Sequence, residues 1–189
     1  IVPLMATRAA TFAPTRWALL GLTAALVTAA PAARANDEAE NSKVTTRVTP
    51  QGEVVAQVKL AAKPAAVRAV LASAEKSHGL APTTVDAKAE PDGSCERVKL
   101  KTRGLLEPFV VETRRCPTST GWKETLVASK NFLEYWNEWT VQESGEGSMV
   151  IFKTRTIPNV MVPEAILLSE TRRVVAKLLR NLSAAVGDR

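Results

Sequence analysis

The sequence predicts an α+β protein in which a curved antiparallel sheet of about seven strands wraps around one long C-terminal helix. Two observations carry this prediction. The segment from Pro163 to Val186 has the length and periodicity of an amphipathic helix, and short alternating segments separated by Pro and Gly precede it. A single long helix needs a surface on which to bury its apolar face, so we expect it to cross the concave face of the sheet.

The predicted C-terminal helix has one apolar face. At 100° per residue, this face spans an arc of roughly 140° and is wide enough to cover a sheet. Its members are Leu167, Leu168, Thr171, Val174, Val175, Leu178, Leu179, Leu182, Ala185 and Val186. Pro163 suits the first helical position and Gly187 is a stop signal, so the pattern predicts both ends of the helix.

The strands are predicted from alternation and from turn residues. Residues 53–60 form a first firm strand, 43–48 a possible edge strand, and Lys63 to Ser73 a short helix that ends at His78-Gly79. Six further strands are predicted at 83–89, 95–103, 108–116, 121–129, 135–143 and 148–156. The order is therefore strand, short helix, antiparallel meander and long helix.

The first 35 residues have the pattern of an export signal. Arg8 and Arg16 precede an apolar core of about 13 residues, and Ala33-Arg34-Ala35 is a small-x-small cleavage site. The alternative is a membrane-anchoring helix, but the run is shorter than the roughly 20 residues that span a bilayer. We expect cleavage between Ala35 and Asn36. The segment 36–51 that follows is predicted to be a polar tether or an edge strand. A single domain at 52–187 and a periplasmic or secreted location complete this prediction.

The charge of the remaining chain argues against nucleic-acid binding. Without Arg8, Arg16 and Arg34, the 25 Lys and Arg fall to 22 against 19 Asp and Glu, a net charge of about +3. That balance is too mild for a protein that neutralises a phosphate backbone.

The two cysteines predict a disulfide across one hairpin. A register that pairs Cys95 with Cys116 also pairs Val98 with Thr113, Leu100 with Val111, and Thr102 with Phe109. These pairs place apolar or small residues on the inner face and charged residues on the outer face with the cysteines. Redox or metal chemistry is the alternative, but the chain has no C-x-x-C motif and one His.

No catalytic constellation is predicted. The only histidine, His78, lies in a Ser-His-Gly turn and is predicted to be a solvated loop residue. Asp86 and Glu96 could point inward by strand parity, although a single inward carboxylate more often belongs to a rim or an ion pair than to a general acid. We therefore expect no catalytic residues, metal site or cofactor.

Three segments together have a recognisable pattern: VVAQVKLAAKPAAVRAVLAS near the start, LEYWNEWTVQESGEGSMVIFKTRT, and IPNVMVPEAILLSETRRVVAKLLRNL at the end. They resemble the START-like, or SRPBCC, helix-grip superfamily, which includes polyketide cyclase/dehydrase-like and coenzyme-Q-binding proteins. The resemblance covers about residues 52 to 186 and lies in the order of elements, not in a catalytic motif. It implies a hydrophobic small molecule or lipid held between sheet and helix, and a binding or carrier role more often than an enzymatic one.

The inward-facing apolar residues would line the pocket that this resemblance implies. We expect the ligand to contact Leu100, Phe109, Val111, Tyr135, Trp139, Val150, Phe152, Leu167, Thr171, Val174 and Leu178. The same residues could make a filled core. Two other functions stay open. One is a cyclase- or hydrolase-like enzyme that uses the same pocket, which would require polar groups such as Asp86 or Tyr135 to meet inside it. The other is a module that binds another envelope protein.

Apolar residues recur in the turns at one end of the meander. Alternate connections of an antiparallel meander lie at the same end of the sheet, so Leu105, Leu106, Phe132, Leu133 and Met161 should lie on one rim. We expect them to form a portal that contacts a membrane surface transiently. Alternatively, each tip folds back and plugs the core.

Overall fold

The structure is a computed structural model, which describes residues 43–103 and 108–187. The predicted leader, its cleavage site, and the portal residues Leu105 and Leu106 lie outside the described residues.

The predicted sheet is present, with eight antiparallel strands in the order β1-β2-β8-β7-β6-β5-β4-β3. The strands are β1 (Thr45–Val48), β2 (Val54–Leu60), β3 (Thr84–Asp92), β4 (Cys95–Thr102), β5 (Phe109–Pro117), β6 (Gly121–Ser129), β7 (Phe132–Ser144) and β8 (Gly147–Pro158). The eighth strand is the edge strand β1, which pairs with β2 along its whole length. From β3 to β8 the chain is a simple meander, in which each strand pairs with the strand that precedes it.

The turn between β7 and β8 shows why glycine is required there. Gly145 has a φ of 61°, the left-handed conformation that other residues adopt at a cost. Gly147 pairs with Ser144 where the hairpin meets the end of β2, and a Cβ on it would collide with the carbonyl oxygen of Leu60. The two glycines let the two longest strands pair as far as their last residues.

The predicted short helix is in fact two helices, α1 (Pro64–Leu71) and α2 (Ala74–Gly79). The break falls at Ser73, whose backbone is extended and whose hydroxyl accepts a hydrogen bond from the Lys76 backbone N–H at 3.2 Å. Serine is a favoured N-cap, so the sequence KPAAVRAVLAS ends one helix and begins the next. α2 carries His78 toward the sheet.

The predicted C-terminal helix is α3 (Glu164–Ala185), and it packs against the sheet, including β2. Its second half is the more deeply buried, with Val175, Leu178, Leu179 and Leu182 in one core cluster with α1, β2, β7 and β8. Asn181 Nδ2 donates a hydrogen bond to the carbonyl oxygen of Leu80 at 2.7 Å, which ties α3 to the residue that follows α2. Within the described residues, no helix is both long and apolar enough to cross a membrane.

The β4–β5 hairpin has the register that the sequence predicts. Val98 pairs with Thr113, Leu100 with Val111, and Thr102 with Phe109. Cys95 and Cys116 are joined by a disulfide at the end of this hairpin, with their Cα atoms 4.3 Å apart. The register obtained by pairing the two cysteines, and supported by the alternation of apolar and charged residues, is therefore confirmed.

Candidate functional site

A cavity of about 320 Å³ lies between the sheet and α3. Side chains from β4, β5, β7 and β8 line it on the sheet side, and residues 167–178 of α3 line it on the other. The surface is mostly aliphatic and aromatic. Val175 and Leu178 belong both to the lining and to the buried core, whereas Leu179 and Leu182, further along α3, belong to the core and do not line the cavity.

Ten of the eleven predicted ligand-contacting residues line this cavity: Leu100, Phe109, Val111, Tyr135, Trp139, Phe152, Leu167, Thr171, Val174 and Leu178. Val150 is not among the lining residues. It is fully buried in the core cluster with Val58 and Val141, its partners on the neighbouring strands. Strand parity predicts which face of the sheet a side chain takes, but not how far along the strand the cavity extends. For this reason Val150 was wrongly predicted to line the cavity.

His78 lies at one end of the cavity and is not the solvated loop residue that the sequence predicts. It sits in α2, its side chain is 12% exposed, and it lines the cavity. Its Nε2 atom lies 2.9 Å from Oε2 and 3.1 Å from Oε1 of Glu124 on β6. The prediction was wrong because the capped helix α2 carries the Ser-His-Gly segment onto the sheet.

Glu124 is a buried carboxylate at the centre of a polar cluster. Besides His78, it accepts hydrogen bonds from the Thr113 hydroxyl and from Asn137 Nδ2, the latter at 3.3 Å. Burial alone would raise the pKa of Glu124, but the charge of His78 and the three hydrogen-bond donors outweigh it and lower the pKa below its ordinary value. The carboxylate is therefore ionised, and both of its oxygens have hydrogen-bond partners.

Tyr135 and Asn137 extend the cluster to the wall of the cavity. Asn137 Nδ2 also lies 3.1 Å from the Tyr135 hydroxyl oxygen, and both residues line the cavity together with His78. Burial and the nearby Glu124 carboxylate raise the pKa of the Tyr135 hydroxyl, so it keeps its proton. Asn137 Oδ1 is buried and has no hydrogen-bond partner among the described residues.

The two carboxylates that could point inward behave differently. A bulge in β3 between Thr84 and Asp86 turns Asp86 to the outer face, where it pairs with Lys101 and is exposed, so that expectation was wrong for Asp86. Glu96 does lie on the inner face, where its Oε2 accepts a hydrogen bond from Arg115 Nη1 at 3.0 Å. Glu96 is thus an ion-pair partner and is not among the residues that line the cavity.

The predicted portal residues divide into two groups. Phe132 lines the cavity, with its ring 5.7 Å from the Phe109 ring, whereas Leu133 and Met161 are exposed at 67% and 103%. The Asn159 backbone N–H donates to the Asn131 carbonyl at 2.7 Å, which joins the connection after β8 to the β6–β7 turn. Two of the three expected turns therefore meet at one end of the sheet.

Sequence reasoning missed Thr113, Glu124 and Asn137 as well as the true position of His78. The signal was present for the three strand residues. Asn137 lies two residues from both Tyr135 and Trp139 along β7 and therefore shares their inner face. The predicted register places Thr113 opposite Val98. Nothing local indicates that a helix brings His78 to Glu124. Among the described residues, no group of three or more His, Cys, Asp and Glu side chains is placed to hold a metal ion.

Known proteins match this chain in structure, although no family model or curated sequence matches it. A START superfamily protein from Mycobacterium smegmatis superposes with a TM-score of 0.63 at 14% identity, covering 71% of this chain and 97% of that one. The chain has a START-like fold.

Two other solved structures with this fold carry different names. The STAR-related lipid transfer protein from Xanthomonas axonopodis superposes with a TM-score of 0.59 at 16% identity, covering 78% of this chain and 94% of that one. The Zhui aromatase/cyclase from Streptomyces sp. R1128 has a TM-score of 0.59 at 16% identity, covering 75% and 94%. At these identities the START-like likeness establishes the helix-grip architecture and leaves function to the site itself.

Proposed function

We propose that this protein binds and carries a hydrophobic small molecule in the bacterial envelope, with the ligand held between the sheet and α3. The observation that carries the proposal is the cavity of about 320 Å³ lined mainly by aliphatic and aromatic side chains. Small-molecule sites are concave and mostly apolar, with a few placed polar groups, and this cavity has that composition. Its volume is at the lower end of the ~300–1,000 Å³ that such sites span, which favours a single-chain or few-ring ligand.

A location outside the cytoplasm is part of the proposal. It is supported by the leader pattern of residues 1–35 and by the Cys95–Cys116 disulfide. Disulfides persist in oxidising compartments and are rare in the cytosol. A carrier of an apolar molecule has an evident use in an aqueous compartment between membranes.

The ligand would enter from a membrane surface at the end of the sheet where Phe132 lies. Five exposed or partly exposed apolar residues follow β8 or the β6–β7 turn: Leu133, Val160, Met161, Val162 and Ile166. The sequence predicts that Leu105 and Leu106, in the connection between β4 and β5, lie at the same end. Apolar residues grouped at the mouth of an apolar cavity fit transient contact with lipid.

The test of ligand binding begins with protein purified from its own envelope. Native mass spectrometry of this material, followed by solvent extraction, should reveal and identify a bound apolar molecule. In the variant Val174→Trp the indole would occupy the cavity, and the bound mass should be lost. Lys177→Trp is the control, because Lys177 is exposed on the same helix and does not line the cavity. A wild-type protein that carries and binds no apolar molecule would refute the carrier function.

The membrane contact is tested separately. The double change Leu105→Asp and Leu106→Asp, and the single change Met161→Asp, should each weaken liposome association and slow ligand transfer at an unchanged melting temperature. Val127→Asp is the matched control, since Val127 is an exposed apolar residue within β6. Lost thermal stability would instead identify the leucines as core plugs, and unchanged transfer in every variant would remove this rim from the mechanism.

An enzyme that uses the same pocket is the second candidate, and one observation favours it. His78 lines the cavity and is oriented by the Glu124 carboxylate, which is the arrangement of a histidine general base. The comparison is direct: the molecules recovered from wild type and from His78→Ala are identified side by side. A carrier yields the same molecule from both, whereas an enzyme yields product from the wild type and substrate from the variant. The cavity counts against the third candidate, a module that binds an envelope protein, because that role needs only a packed core.

A further inference from the structure

We propose that the end of the cavity formed by His78, Tyr135 and Asn137 binds one uncharged ligand group that both donates and accepts a hydrogen bond, such as a hydroxyl or a carboxamide. This inference rests on the proposed carrier function and adds the chemistry of the ligand's polar group. It follows from an accounting of donors and acceptors in the polar cluster around Glu124.

Asn137 contributes a free acceptor. Both hydrogens of its Nδ2 are used, one by Glu124 Oε2 at 3.3 Å and one by the Tyr135 hydroxyl oxygen at 3.1 Å. The opposite orientation of the amide would place its oxygen against the ionised carboxylate, so Glu124 sets the orientation seen here. Oδ1 is then left buried without a partner in the described part of the chain, which is costly unless a ligand supplies a donor.

Tyr135 contributes a free donor. Its hydroxyl oxygen accepts from Asn137, and no acceptor for its proton is found within residues 43–103 and 108–187. Because burial and the Glu124 charge keep the hydroxyl protonated, the donor persists across the physiological pH range. Tyr135 therefore offers a proton beside the acceptor of Asn137.

The charges around this end of the cavity favour a neutral ligand group. Glu124 accepts hydrogen bonds from His78, Thr113 and Asn137 and does not line the cavity. Glu170 does line it but is bound by Arg173, so an ammonium group would find no free carboxylate there. A ligand carboxylate at this end would lie close to the Glu124 charge, while the His78 charge is already paired with Glu124, and Arg103, a further lining cation, is exposed. A group with one donor and one acceptor satisfies both open positions without adding a charge.

The test compares four probes that share a ten-carbon chain: 1-decanol, decanamide, decyl methyl ether and decanoate. Each is titrated at pH 8 into the purified protein that begins at Asn36, with calorimetry or intrinsic tryptophan fluorescence as the readout, since Trp139 lines the cavity. Decanol and decanamide should bind about tenfold more tightly than the ether, which can only accept. Decanoate should bind no more tightly than the ether.

Two variants locate the preference. Asn137→Leu removes the acceptor that decanol would donate to and that the ether cannot use, so the preference for decanol over the ether should fall to about threefold or less. Thr171→Val is the control, because the Thr171 hydroxyl lines the cavity but already donates to the Leu167 carbonyl at 2.8 Å. It should keep the wild-type preference. If Asn137→Leu fails to fold, the wild-type probe series still decides the question.

The failures of the two proposals are distinguishable. Equal affinity of the wild type for decanol and the ether, or tightest binding of decanoate, would overturn this inference and leave the carrier function standing. Binding of none of the four probes would overturn both.

Discussion

The guanidinium of Arg115 lies over the indole of Trp122, with its central carbon 4.9 Å from the ring centroid. The same group donates hydrogen bonds to the carbonyls of Leu71 and Ala72 at the end of α1, and to Glu96. Arg115 is 1% exposed, and burial lowers its pKa despite the nearby Glu96 and Glu124 carboxylates. A buried cation thus joins the sheet to the helix pair that carries His78.

Replacing Arg115 should therefore destabilise the fold. We expect Arg115→Met to lower the free energy of unfolding by about 3 kcal/mol, because two helix-end carbonyls lose their donor in a buried position. Urea unfolding monitored by circular dichroism measures the change. Arg97→Met, on the exposed face of β4, should stay within about 0.5 kcal/mol. Similar stabilities for the two variants would show that the Arg115 contacts contribute nothing.

The Glu124 cluster predicts a specific pH dependence of stability. Because the pKa of Glu124 is lowered in the folded protein, its contribution is fully present above the ordinary value of 4.5 and is lost as the pH falls through the folded value. The charged or titratable groups facing it are His78 from α2, Tyr135 from β7 and Arg115 from β5.

The variant Glu124→Gln measures this contribution. At pH 7 it should lower the free energy of unfolding by about 1–3 kcal/mol, and the difference from wild type should shrink as the pH is lowered below 4.5. Glu143→Gln, an exposed change near the end of β7, corrects for the general effect of removing a charge. A difference between wild type and Glu124→Gln that is the same at pH 7 and pH 3 would contradict the prediction.

The disulfide should stabilise the β4–β5 hairpin. Cys95 and Cys116 are separated by 21 residues, and closing a loop of that size contributes roughly 3 kcal/mol in the chain-entropy description. Reduction should raise the intact mass by about 2 Da, and both cysteines should be alkylated only after that step. The double variant Cys95→Ala and Cys116→Ala should melt at a lower temperature. Freely alkylated cysteines in freshly exported protein would refute the bond in the cell.

Export predicts a defined N-terminus. If the leader is removed as its pattern indicates, sequencing of protein from the periplasm should begin at Asn36. Changing Ala33 and Ala35 to bulky residues should block processing and leave the longer chain attached to the membrane. Recovery of protein in the cytosol that still carries Met5 would contradict the export prediction and strengthen the enzyme alternative.

The alternation of residues was sufficient to predict the sheet, because each strand buries one face and a one-residue slip would reverse it. The extent of β6 followed from this rule, and the register obtained by pairing Cys95 with Cys116 agreed with it. The same rule failed at Asp86, where a bulge in β3 changes which face the side chain takes. Bulges leave no clear trace in a pattern of period two.

The polar cluster could be predicted only in part, because its members come from four separate elements. Thr113, Glu124 and Asn137 lie on β5, β6 and β7, and alternation could have placed them on the inner face. His78 depends on α2, a six-residue helix whose position is set by Arg115 and Asn181 through long-range contacts. Contacts between residues so distant in sequence have no local pattern.

The hydrogen bond from Asn181 to the Leu80 carbonyl has a consequence for producing the protein. Asn181-Leu182-Ser183 matches the acceptor sequence for N-linked glycans, yet the Asn181 amide is occupied and Leu182 and Ser183 are buried. A glycan added to Asn181 before folding would prevent α3 from docking on the sheet. A eukaryotic secretory host would therefore yield a mixture of folded, unmodified chains and glycosylated chains in which α3 cannot dock on the sheet. Bacterial expression avoids the modification.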